Sequence, residues 1–181
     1  MSKLTVYADD TPAVALAVHT DHPKIAATLA AEGVRFEQWR TDAPIRPGDP
    51  EGAVIAAYLG DIDRLRAEAG YQAVDVVSLN ADHPDKAALR QKFLAEHTHG
   101  EDEVRLFVAG QGQFNLHLGP MVYEVLCTEG DLIGVPARAT HWFDMGPNPH
   151  FVAIRLFNNP EGWVARFTGS DIAVRFPLLE N

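Results

Sequence analysis

Residues 96–105 read EHTHGEDEVR, and a further histidine opens the apolar run HWFDM at 141–145. His97, His99 and His141 offer three imidazoles, and Glu103 offers one carboxylate. On an extended strand residues two apart share a face, so His97, His99, Glu103 and Arg105 have the same parity and can converge. Such a mixed nitrogen and oxygen set suits one ion of iron, nickel, manganese or cobalt; structural zinc sites usually involve thiolates. Four ligands on an octahedral ion leave two adjacent positions for a bidentate substrate. Taken singly, each histidine reads as a solvated loop residue and Glu103 as a surface carboxylate. The joint spacing argues otherwise: HxHxxxE, six residues, Gly110, and later Gly130, five residues, Pro136, four residues, His141.

Other charged residues accompany this set. Glu96 and Asp102 flank the candidate ligands, and each is a candidate acceptor for a ligating imidazole or for a substrate proton. Arg105 and Arg155 interrupt strands that should be apolar; in HFVAIRLF one face would carry Phe151, Ala153, Arg155 and Phe157. A guanidinium in such a wall needs an anionic or hydrogen-bonding partner, either a surface acid at the rim or a group inside the site. Cys127, in the alternating run YEVLC, reads as a small core residue, and His117 as structural.

The elements that must hold these residues fall into two textures. In the first half, DHPKIAATLAAEG has Asp21 as an N-cap, Pro23 in the first turn, Ile25 and Leu29 on one face, and Gly33 as terminator. VRFEQW alternates like a strand. EGAVIAAYLGDIDRLRAEAG predicts a broken helix or two short ones, with Gly60 as the break. YQAVDVVSLN returns to strand character, and HPDKAALRQKFLAEH, opened by Pro84, predicts another helix. From about residue 103, short β-prone runs recur every 8 to 12 residues (VRLFVA, QFNLHL, VYEVLC, DLIGVP, THWFDM, HFVAIRLF) between glycines and prolines. The expectation is one domain over 1–181, mainly β. An N-terminal α/β lobe of short helices (1–95) packs on an antiparallel metal-binding barrel (96–181).

Composition narrows the partners. The 181 residues, 46% of them hydrophobic, can bury a sizeable core. A net charge of −10, from 25 acidic and 15 basic residues, repels nucleic acid and anionic lipid and favours small molecules or metal ions. The apolar stretch Ala13–Val18 is too short for a signal core or a membrane span, and a lone cysteine cannot form an internal disulfide. A reducing cytoplasm is the expected compartment, and a monomer the expected state.

The two histidine segments resemble the paired motifs of the cupin superfamily, small jelly-roll β-barrels with a three-histidine, one-glutamate metal site. Gln91, Arg138 and Met145 depart from the motif's usual glycine, glycine and asparagine. A narrower resemblance covers residues 25 to 177. EHTHGEDEVRLFV, DLIGVPARATHWFDMG, AIRLFNNPEGWVARFTG, GVRFEQW and GYQAVDVVSLNADHPDK are similar to the acireductone dioxygenases, the cupins of methionine salvage. That resemblance implies a dioxygenase acting on 1,2-dihydroxy-3-keto-5-methylthiopentene with O2. Fe(II) would give formate and 4-methylthio-2-oxobutanoate; Ni(II) would give formate, carbon monoxide and 3-methylthiopropionate. It further implies that Arg105 and Arg155 counter the enediolate or orient a ligand carboxylate, and that Phe93, Phe143 and Trp163 line a slot for the methylthioalkyl tail. The rival readings are another metal cupin, such as a different oxygenase or a sugar-phosphate isomerase, and a non-enzymatic small-molecule-binding barrel.

Overall fold

The computed structural model describes residues 1–159, 161 and 164–180. In chain order the elements are β1 (Lys3–Ala8), β2 (Ala15–His19), α1 (His22–Ala30), β3 (Arg35–Gln38), α2 (Glu51–Ala57), α3 (Leu59–Ala69), β4 (Ala73–Leu79) and α4 (Lys86–Leu94). They continue with β5 (His97–Thr98), β6 (Glu103–Leu118), β7 (Met121–Thr128), β8 (Asp131–Val135), β9 (Thr140–Asp144), β10 (His150–Phe157) and β11 (Arg166–Phe167). A 3-10 turn, Ile172–Arg175, lies near the end.

The fold is mainly β with short helices in its first half, as expected. Among the described residues the antiparallel strands form one branched sheet that is not seen closed into a barrel. Pairing runs from β11 through β5, β9, β6, β7 and β1 to β2, with β10, β4, β8 and β3 branching from β6. The reason lies in the length of β6. VRLFVA and QFNLHL, expected as two strands, are one 16-residue strand. Its first half pairs with β8 and β10, and its second half with β7 and β9. Between the halves Gly110 sits at φ +67, where a Cβ would lie 1.8 Å from the His150 carbonyl oxygen. Beside it the β10 register skips one residue. Only glycine fits, and the bulge turns the strand from one set of partners to the other.

Strands of the first 95 residues extend the same sheet: β1 pairs β7, β3 pairs β8, and β4 pairs β10. α2 and α3 cover one face, where Val54, Ile62 and Leu65 pack with Val104, Leu106, Ile154 and Leu156. The opposite face holds Phe107, Phe114, Phe143, Phe151 and Ala153. β10 therefore alternates as the sequence implies, and Arg155 falls on the face of Phe151 and Ala153.

Local signals explain the helix limits. Asp21 accepts the Lys24 N–H at 3.2 Å and caps α1, a contact contributing about 1 kcal/mol. Gly33 (φ +75) follows the helix. The break between α2 and α3 falls at Tyr58 (φ −112, ψ 22) rather than Gly60. Tyr58 is buried, so packing fixes the break where the aromatic ring is anchored and leaves Gly60 within a helical turn.

Candidate metal centre

β5 lies against β9 with His97 opposite His141, while β9 pairs on its other side with the far half of β6. A turn at 99–102 then returns the chain into Glu103 at the start of β6. The four groups meet through these pairings; strand parity does not extend across the turn. The ligating nitrogens of His97, His99 and His141 lie within 4.8 Å of one another. Glu103 Oε2 stands 3.4 Å from His99 Nε2 and 3.9 Å from His141 Nε2. All four side chains are buried.

Backbone carbonyls set the imidazoles. His97 Nδ1 faces Ala95 O at 2.7 Å, His141 Nδ1 faces Ala139 O at 2.9 Å, and His99 Nδ1 faces Val164 O at 3.3 Å. Each Nδ1 donates to its carbonyl, which turns the Nε2 lone pair inward, the usual way a metal-binding histidine is oriented. Arg138, where the cupin motif carries glycine, adopts the left-handed φ of 67° and donates its N–H to His99 O at 2.9 Å. The loop before β9 is thereby tied to the loop carrying His99.

Charge follows from burial and neighbours. Desolvation lowers the pKa of all three histidines, that of His141 to about 3, so the imidazoles are neutral at neutral pH. Burial alone would raise Glu103, but Arg105 and the other surrounding positive groups outweigh it and hold the carboxyl down at about 2. Arg105 donates Nε and Nη2 to Glu103 Oε1 at 3.1 and 2.6 Å and stacks over Phe114 and Phe143. Glu103 Oε2 and His141 Nε2 are buried without a hydrogen-bond partner among the described residues. Buried polar atoms are normally satisfied. A divalent cation bound by these atoms and the two remaining imidazoles satisfies both at once, so the residues present fit a metal.

His97, His99 and His141 form one wall of a cavity of about 350 Å³. Arg105, Arg155, Phe93 and Phe143 also line it. Phe93 meets Phe143 edge to face at 6.0 Å between centroids. Trp163 lies outside the described residues. Glu96 and Asp102 are not brought to this cavity. Glu96 accepts from Thr168 Oγ1 at 2.7 Å and binds His117 Nδ1 at 2.9 Å, clasping the segment after β11 to the strand that carries His97. Asp102 accepts the Ala137 N–H at 2.7 Å, joining the two histidine-bearing loops.

Sequence reasoning missed Asp75. It lines the cavity and receives Arg155 Nε at 2.8 Å, with Arg155 Nη2 on its second oxygen. The available signal was a carboxylate interrupting the apolar run AVDVVSL, the same kind that marks Arg105 and Arg155. Lys92 and Phe167 at the cavity edge were missed as well.

Comparison with known proteins converges on one family. The family model described as ARD/ARD' matches residues 3–165. This chain belongs to the ARD/ARD' family, the acireductone dioxygenases of the cupin superfamily. It is 63% identical to an acireductone dioxygenase of Pseudomonas aeruginosa, covering all 181 residues of this chain and the whole of that protein. It is 58% identical to one of Synechococcus, over 99% of each chain. Among solved structures, the acireductone dioxygenase from Bacillus anthracis, described with a cadmium ion in its active centre, superposes with a TM-score of 0.80. That match has 30% identity and covers 92% of this chain and 98% of the other. No described helix is long and apolar enough to cross a membrane.

Proposed function

We propose that this chain is a metal-dependent dioxygenase that cleaves acireductone with O2 in methionine salvage. The observation that carries the reading is the pair of unsatisfied buried atoms, Glu103 Oε2 and His141 Nε2, facing each other beside His97 and His99 within an ARD/ARD' fold. His97, His99, His141 and Glu103 would hold one Fe(II) or Ni(II). Such an ion supplies Lewis-acid binding of the enediolate oxygens and reactivity toward dioxygen.

The chain's own residues do the rest. Arg105 fixes one oxygen of Glu103 and leaves the other directed at the histidines. Arg155, on the same cavity, attracts the anionic end of the substrate. Phe93 and Phe143 provide the apolar wall against which a methylthioalkyl tail excludes water; the family resemblance gives Trp163 the same role. Glu96 and Asp102 act through others, holding the segments around the ligands in place, rather than as proton acceptors. Residues 1–181 work as one unit, since β1, β3 and β4 pair with strands of the 96–181 half. All ligands come from one chain, which fits a monomer. The lone buried thiol of Cys127 fits a reducing cytoplasm, and the net charge of −10 fits a small-molecule substrate rather than nucleic acid.

The test is to strip the metal, reconstitute separately with Fe(II) and Ni(II), and follow aerobic acireductone consumption with formate and headspace carbon monoxide. Turnover with both ions is expected, with 4-methylthio-2-oxobutanoate from the iron form and carbon monoxide plus 3-methylthiopropionate from the nickel form. No consumption with either ion would overturn the assignment. Equal carbon monoxide from both would overturn the metal-dependent choice of products.

A further inference from the structure

Asp75, Arg155 and Arg105 form a row across three neighbouring strands. Arg155 on β10 lies directly opposite Asp75 on β4 and, on its other side, directly opposite Arg105 on β6. Directly opposed residues share a face, and all three line the cavity. Glu103, two residues before Arg105, shares that face and stands diagonal to Arg155. Two guanidiniums placed opposite each other repel unless each has its own counter-charge.

The row divides its two carboxylates between its two cations. Arg105 occupies Glu103 Oε1. Among the described residues, both side-chain hydrogen bonds of Arg155 go to Asp75. What this division leaves over is Glu103 Oε2, with no hydrogen bond. Burial works against the charge of Arg155; the Asp75 hydrogen bond, followed by the charge of Glu103, outweighs it. Glu103 is thus the carboxylate to which an unheld Arg155 would turn. A diagonal neighbour about 7–8 Å away is within reach of so long a side chain.

We propose that Asp75 is a positioning residue of the metal centre: by engaging the Arg155 fork it keeps that guanidinium off Glu103, so that Oε2 stays free to bind an ion. This rests on the reading of Glu103 as the oxygen ligand. The alternative, a partly exposed ion pair with no further role, would contribute little to stability and nothing to metal binding.

A double-mutant cycle on nickel affinity separates the two. The full chain, stripped of metal and without substrate, competes with a chromophoric chelator for Ni(II). Asp75→Asn is expected to weaken nickel binding by about tenfold or more, the range typical of residues that orient a ligand. Removing the displaced cation as well, in the Asp75→Asn/Arg155→Met double variant, is expected to restore affinity to that of Arg155→Met alone. Asp75→Glu, which keeps the carboxylate, should remain near the parent chain. Unchanged affinity in Asp75→Asn, or a double variant as weak as Asp75→Asn, would overturn the proposal. If Asp75→Asn does not fold, Asp75→Ser takes its place in the same cycle: weakened nickel binding that Arg155→Met relieves supports the proposal, and unchanged binding, or weakening that Arg155→Met does not relieve, overturns it. Glu103→Gln distinguishes the deeper failure, because full nickel affinity in that variant would refute the ligand reading itself.

Discussion

Asp144 and Glu103 are both buried carboxylates on the central strands, both paired with an arginine, yet they are satisfied in opposite ways. Asp144 receives Nε and Nη2 of Arg90 and the backbone N–H groups of Gly146 and Leu179, two donors on each oxygen at 2.7–2.9 Å. It clasps α4, β9 and the C-terminal tail. Glu103 receives Arg105 on one oxygen only and leaves the other bare. A fully satisfied buried charge is a structural joint. A half-satisfied one, facing three inward-turned imidazoles, is a place for a cation.

The comparison breaks most visibly if the ligands are removed. His141→Ala or Glu103→Ala should abolish turnover and strip the metal while the sheet still folds, as measured by elemental analysis and circular dichroism together. Full activity in either variant would make Glu103 another joint like Asp144. The reverse experiment is Asp144→Ala. Its expected effect is a loss of about 3 kcal/mol in unfolding free energy, because Arg90 is left beside an empty acceptor. Nickel affinity of the folded fraction should be unaffected, and a metal defect without a stability defect would contradict the contrast.

Acid should sharpen it further. The folded-state pKa of His141 lies near 3, below the ordinary 6.5, so the unfolded chain takes up that proton first. Its contribution to the stability of the stripped protein is therefore complete above about pH 6.5 and lost as pH falls toward 3. Glu103, held near 2 against an ordinary 4.5, acts in the same direction over the lower range. Denaturant titrations of metal-free protein at neutral pH and near pH 5 should show the decline; equal midpoints would contradict it. The smallest effect is expected from Arg155→Met, which should keep its metal yet lose about tenfold in kcat/KM, roughly 1.4 kcal/mol. Unchanged kinetics would return Arg155 to the cavity rim.

How much of this was legible depends on the distance over which the information acts. The candidate ligand set is written in spacing, so His97, His99, Glu103 and His141 are readable together. The cap at Asp21 and the alternation of β10 are local and equally readable. The partners of those residues are not: Asp75 lies 80 positions from Arg155, and only strand register makes them neighbours. The carbonyls of Ala95, Ala139 and Val164 that aim the imidazoles have no side-chain signature at all. The hairpin of β1 and β2 and the continuity of β6 through Gly110 escaped for a similar reason, since partner strands and a bulge decide them. Glu96 and Asp102, adjacent in sequence to the candidate ligands, make their contacts away from the cavity, with His117 and Thr168 and with the Ala137 N–H, which shows how little sequence adjacency says about direction.

The central claim is that Glu103 Oε2 and the three Nε2 atoms are one cation site rather than a set of unrelated buried groups. Isothermal titration of the stripped chain with Ni(II) tests it most directly. The account predicts saturation at one ion per chain, with that binding lost alike in His141→Ala and Glu103→Gln and retained in a folded Asp144→Ala. Binding that survives both ligand replacements, or that vanishes with Asp144, would contradict it.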